Sequence, residues 1–353
     1  MTVLSLLAVQ ALSLLLWFGS TPEERSGWKT SLDAALQADQ HGRYDEAERL
    51  YLEAEGAAWR FGTGDPRLAQ TLALRGRLYT TQARWSEAEP LLRRSLGIYE
   101  KALGPESPDV ASVLNFLGNL YKQQARYTEA EEAYERSLEI AQEALGPEHV
   151  AVAHALDGLG DVCRLRDELP RAEKLLRRSL EIYEKTPGAS DPSFAISLNN
   201  LATVLMEQSR YAEAEEIYRQ SLQLGPDLAT TLNNLGVACR RQGKLDEAEQ
   251  YYERVLRMRE TQLGPQHPDV AMTLDSLVTL YYERGEYRKA EPLSARAIAI
   301  YEDKLGPNHQ ALATSVENRA FVLRKLGRED EAEEIEEWAA AIRRRHTQQN
   351  ASR

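Results

Sequence analysis

The sequence predicts an all-α fold, an α-solenoid of stacked helix-turn-helix units, from three observations. A small residue returns at a fixed interval, a Leu-Gly-Pro string punctuates the returns, and the composition is that of helices. Charged residues make up 28% of 353 positions, Phe occurs only 5 times and β-branched alternation is scarce, so no strand-rich domain is expected.

An alanine opens successive units at Ala69, Ala111, Ala153, Ala195, Ala229, Ala271 and Ala313, in steps of 42, 42, 42, 34, 42 and 42. A second register, the small residue of a Tyr-x-Glu-Ala-Glu-like string, falls at Ala47, Ala88, Ala130, Ala172, Ala214, Ala248, Ala290 and Ala332. Eight helix pairs follow, the first degenerate. With the opening Ala as position 1, positions 4, 7, 8 and 11 lie within about 60° of one another at 100° per residue and form the core face. They are Leu114, Leu117, Gly118 and Tyr121 in the third unit, and Leu232, Leu235, Gly236 and Cys239 in the sixth. The small residues at positions 8 and 20 let the two helices of a pair approach closely.

The punctuation comes next. Leu-Gly-Pro stands at Leu103 to Pro105, Leu145 to Pro147, Leu224 to Pro226, Leu263 to Pro265 and Leu305 to Pro307. Gly can take the left-handed conformation that ends a helix and Pro cannot continue one, so each second helix stops there. Asp65, Ser107, His149, Asp191, Gly225, His267 and His309 stand four residues before the opening alanines, five of them followed by Pro, which is N-cap chemistry. The single 34-residue step predicts a shortened second helix near Gln220 to Leu224.

The pattern Leu-x-x-Leu-Gly-x-x-Tyr, then Ala, then Ser/Ala-Leu resembles the tetratricopeptide repeat. The 42-residue spacing and the linker Leu263 to Ala271 are similar to the variety found in kinesin light chains. The likeness covers residues 28–345 and implies a right-handed solenoid that binds proteins without catalysis, holding an extended peptide or partner helix on the concave face of the first helices. Residues 346–353 are expected to be a disordered tail.

Positions 2, 5, 6, 9, 12 and 13 share one contiguous face away from the core, the expected groove. It carries Asn115, Asn199 and Asn233 at position 5, Asn200, Asn234 and Asn318 at position 6, and Asn119 at position 9. An Asn offers donors and an acceptor, so such a ladder can satisfy the backbone of an extended peptide, or else bond neighbouring repeats to one another. Position 12 holds Lys122, Arg164, Arg240 and Arg324, with Tyr282, Thr80 and Met206. These cations suggest a groove of opposite sign to the outer surface, suited to acidic peptides. Asp157, Asp161, Glu207, Asp275, Glu283 and Glu317 on the same face oppose a uniform field.

Chemistry finds no foothold. Phosphate loops, nucleophile elbows and His-Glu-x-x-His or Cys-x-x-Cys strings do not occur, so neither an enzyme, a cofactor nor a metal is expected. His149, His267 and His309 recur at one repeat position, as caps carried along a solenoid and not as converging ligands. Cys163 and Cys239 fill the aromatic slot at position 11 of separate units and are read as free buried thiols. Glu pairs such as Glu131-Glu132 and Glu215-Glu216 are read as a solvated outer surface, and Arg343 to Arg345 as the charged end of the last helix. A net charge of -12 disfavours nucleic-acid binding.

Val3 to Phe18 is apolar except for Ser5, Gln10 and Ser13, and the first charged residue is Glu23. Residues 1–20 are therefore read as a signal peptide or membrane anchor, placing the protein outside the cytoplasm or on a membrane. The alternative is a helix packed over the open end of the array, which would leave a cytoplasmic regulatory or adaptor subunit.

Overall fold

A computed structural model describes residues 22–186, 192–224 and 228–351. The apolar leader lies outside the described residues, as do the cap positions Asp191 and Gly225. Among the described residues no helix is long and apolar enough to cross a membrane. The chain divides into two compact units, residues 1–189 and 190–353.

The N-terminal unit contains α1 (Pro22–Gln40), α2 (Tyr44–Ala58), α3 (Pro66–Thr81), α4 (Trp85–Leu103), α5 (Pro108–Gln123), α6 (Tyr127–Leu145), α7 (Val150–Leu165) and α8 (Leu169–Lys185). The C-terminal unit contains α9 (Pro192–Glu207), α10 (Tyr211–Leu224), α11 (Leu228–Arg241), α12 (Leu245–Leu263), α13 (Pro268–Glu283), α14 (Tyr287–Leu305), α15 (Gln310–Lys325) and α16 (Glu329–Ala351). Within each unit consecutive helices pack as antiparallel hairpins, stacked one on the next. Described residues contain no strand. The fold is an all-α solenoid of helix-turn-helix repeats.

The core face is the one the periodicity indicates. Leu114, Leu117, Tyr121, Leu232, Leu235 and Cys239 are all buried. The small residue at position 8 faces the side chain at position 24 of its partner helix: a Cβ on Gly118 would sit 2.7 Å from the Tyr134 ring, and one on Gly76 or Gly160 2.7 Å from Leu92 or Leu176. Tyr134 is squeezed further, because a Cβ on Gly158 in the next hairpin would stand 2.2 Å from the same ring. At position 27 a serine hydroxyl donates to the carbonyl of position 1, Ser95 to Ala69, Ser137 to Ala111, Ser179 to Ala153 and Ser221 to Ala195. Each bond satisfies a buried hydroxyl and pins one helix of the hairpin to the other.

The caps form as expected where they are described. Asp65, Ser107, His149, His267 and His309 each accept from the backbone N–H two residues on. For the three histidines the acceptor is Nδ1, at 3.2 Å. The shortened helix after the 34-residue step is also present: α10 has 14 residues where α12 has 19.

Two expectations are corrected. The last helix does not end at 345: α16 runs to Ala351, since no Gly or Pro interrupts it and the Thr347 hydroxyl donates to the Arg343 carbonyl. Arg343 is thus interior to the helix and pairs with Glu317 on α15 at 2.5 Å, so it does not cap an end. The first member of each Glu pair is not a solvated side chain either. Residues at position 21 of one hairpin accept a cation from the next: Arg84 reaches Glu48, Arg126 reaches Glu89 and Arg166 reaches Glu131 in the N-terminal unit. In the C-terminal unit Lys244 reaches Glu215, Arg284 reaches Glu249 and Arg328 reaches Glu291. The bond from Arg84 outweighs burial and holds Glu48 below the usual carboxylate value.

Candidate peptide-binding face

Positions 5, 9 and 12 of a first helix are i, i+4 and i+7, one stripe along its exposed side. In the N-terminal unit this stripe is bonded to itself. Asn119 accepts the Tyr134 hydroxyl at 3.0 Å and donates to the Asn115 carbonyl at 3.1 Å. Lys122 crosses from α5 to Asp161 on α7 at 2.8 Å, and Arg164 closes on the same carboxylate at 2.8 Å. Burial would raise the pKa of Asp161, but the adjoining Lys122 and Arg164 charges overcome it and hold the carboxyl below its ordinary value. The Asn115 side-chain oxygen is buried without a partner.

In the C-terminal unit Asn199 has the bracing role. Its amide donates to the Ala195 carbonyl at 2.9 Å and to Ser221 at 2.6 Å, while its oxygen accepts from Thr231 at 3.0 Å. It therefore joins α9, α10 and α11. Asn233, its counterpart on α11, has a buried oxygen without a partner, because the corresponding hydroxyl, Thr273, is occupied by Arg259 at 2.8 Å and by the Asp269 carbonyl at 2.9 Å. Arg240 is nearly buried and bridges to Glu283. Asn200 and Asn234 are half-buried and make no hydrogen bond among the described residues. Arg324 is exposed and pairs with Glu336 at 3.0 Å and Glu329 at 3.3 Å.

The four basic residues at position 12 are consequently all engaged by carboxylates, and no open row of positive charge faces outward. Alternating acids and bases on one helical stripe meet across successive hairpins, so the charge is neutralised locally.

Tyr282 and Asn318 are different. The structure brings them together with Val278, Thr279 and Phe321 around an apolar cavity of about 300 Å³ between α13 and α15. Phe321 is 52% exposed and borders this cavity. The Tyr282 ring stands edge-on to Tyr287 with centroids 5.5 Å apart. One turn before the cavity Asp275 lies on the same stripe. It accepts from Ser315 on α15 at 2.8 Å and makes no ion pair among the described residues. Burial, only partly offset by the Ser315 and Tyr301 hydroxyls, pushes its carboxyl up to about 7. Phe321 was not singled out from the sequence. Its signal was there: position 9 otherwise holds Arg77, Asn119, Asp161, Thr203, Val237 and Thr279, none of them aromatic.

One described cluster has metal-ligand composition. Glu215, Cys239 and Glu247 bring ligand atoms within 4.8 Å of one another. Glu215 already accepts from Lys244 at 2.7 Å and Arg219 at 2.6 Å, and burial pushes the Cys239 thiol up to about 11. A metal ion would have to displace two cations and a thiol proton, so the donor set suits an ion-paired knot better than a metal. Cys163 is likewise free and buried.

Family models for the tetratricopeptide repeat match residues 34–101, 109–185, 227–303 and 281–345, and a second such model matches 194–225. No curated protein sequence matches the chain. Among solved structures, the apo form of RapI aligns at 14% identity over 91% of this chain and 98% of its own, with a TM-score of 0.60. The apo quorum sensor NprR from B. thuringiensis aligns at 18% identity over 89% and 98%, with a TM-score of 0.57. Nearly identical repeats from a Podosopora anserina chain described as a kinesin light chain align at 23% identity over 56% and 98%, with a TM-score of 0.47. At these identities the likeness concerns the fold alone.

Proposed function

The chain belongs to the tetratricopeptide repeat family, and from that premise we propose that it is a non-catalytic scaffold holding a protein segment on the face of its first helices. Such repeats generally serve protein-protein interaction. The observation that carries the reading is the cavity between α13 and α15, where an exposed Phe321, Tyr282 and Asn318 occupy groove positions that nothing in the fold requires to be aromatic or open. Apolar walls with a single amide suit the side chain of a peptide whose backbone runs along the stripe.

Residues 1–20 are proposed to deliver or tether this scaffold to a membrane or beyond it. The groove reading is tested by capture of a random peptide display library on the full chain, with Tyr282→Ala and Asn318→Ala in parallel. Loss of most capture in those variants, at unchanged helical content, is the expected outcome; capture indifferent to both moves binding off this face.

A further inference from the structure

Among the described residues Asp275, in the C-terminal unit, is a half-buried acid without a counter-ion. Asp275 sits on α13 one turn before the cavity, and the groups that face it are hydroxyls: Ser315 on α15 at 2.8 Å and Tyr301 on α14, a residue that Asp269 and Arg259 also influence. The neighbouring acids of the stripe are satisfied, Glu283 by Arg240 and Glu317 by Arg343. A carboxylate kept out of bulk water and facing only neutral donors is poised to gain from an incoming cation, more so than any paired acid on the same face.

Residues 275, 279 and 282 are i, i+4 and i+7 on α13, so Asp275 and the apolar cavity are adjacent turns of one surface. We propose that this surface recognises a peptide in which a bulky apolar side chain stands next to a Lys or Arg. The apolar group enters the cavity against Phe321 and Tyr282, and the cation reaches the Asp275 carboxylate. This rests on the groove reading above and sharpens it: the residue type follows from the cavity walls, the sign of the charge from the unpaired acid.

The test is a cellulose-bound array in which every two-residue combination is displayed within a Gly-Ser background and probed with the full-length chain. Spots pairing Trp, Phe or Leu with Arg or Lys are expected to retain at least tenfold more protein than the same apolar residue beside Glu or Ser. Asp275→Asn should bring the basic spots down to the Ser level, and Phe321→Ala should abolish retention on both, with circular dichroism unchanged since Phe321 is mostly exposed and Asn is isosteric with Asp. Equal retention beside Glu, or indifference to Asp275→Asn, overturns the proposal. Retention lost instead with Asn119→Ala or Lys122→Met overturns it while leaving the groove in place elsewhere, and no retention on any spot removes the groove reading together with it.

Discussion

The same stripe of the first helices is spent differently in the two units. In the N-terminal unit Asn119 meets Tyr134, and Lys122 and Arg164 meet Asp161, so polar groups that look available in sequence are tied inward. In the C-terminal unit around α13 and α15 the stripe holds Tyr282, Phe321 and an acid with no cation. Position 15, which links the helices of each hairpin, has positive φ throughout; it is Gly42, Ala83, Ala125 and Asp167 in the N-terminal hairpins and Ser209, Gly243, Gly285 and Gly327 in the C-terminal ones. The contrast teaches that one repeat pattern can serve as cement or as an open surface, depending on whether position 9 can bond its neighbours.

The hardest way to break the first half of this contrast is Gly158→Val. With a Cβ already 2.2 Å from the Tyr134 ring, overpacking should cost about 3 kcal/mol and lower the urea midpoint of the N-terminal unit while the C-terminal transition stays in place. Acid separates the halves by sign. Asp275 binds its proton more tightly when folded, so its contribution favours the fold below the unfolded value near 4 and is lost as pH rises to about 7. Asp275→Asn should raise stability at pH 8 by about 4 kcal/mol at most and change little at pH 4, as read by thermal melts across that range. Asp161, whose carboxyl is held low, works the opposite way: its contribution is present at neutral pH and disappears only as pH falls below about 4.

A smaller effect is expected from the cement itself. Lys122→Met should cost about 1 kcal/mol by leaving Asp161 with Arg164 as its one cation, and Lys122→Met with Asp161→Leu should show coupling between the two positions, a double-mutant cycle in urea that fails if the two single effects simply add. Smallest is Ala125→Gly, which relieves a left-handed alanine at φ 58° and should stabilise by about 0.5 kcal/mol, raising the N-terminal melting temperature by a few degrees at most.

Helix number, the core face, the caps and the short α10 were legible because they depend on local period and on residues with one conformational use, such as Leu-Gly-Pro. The destiny of the groove residues was not. Asn115, Asn199 and Asn233 share position 5, yet only Asn199 finds a hydroxyl at position 3 of the following hairpin; after Asn115 that position is Ala155, which has none, and Thr273 is occupied by Arg259. Those outcomes hinge on pairs 30 to 40 residues apart, which a single-helix period cannot rank. Phe321 differs: its place at position 9 of the groove face was readable, and only the packing around it shows the cavity that it borders.

The carboxylate at position 21 carries a consequence for how such a gene can change. Its cation comes from position 16 of the following hairpin in Arg84, Arg126, Lys244 and Arg328, and from position 14 where position 16 is itself acidic, at Arg166 before Glu168 and Arg284 before Glu286. Within each unit the acceptor stays at position 21 and the donor at position 14 or 16. Duplication or loss of a whole 42-residue segment by unequal recombination therefore rejoins a cation to a carboxylate at the new seam, and the array can lengthen or shorten by inheritance without exposing an unmatched charge.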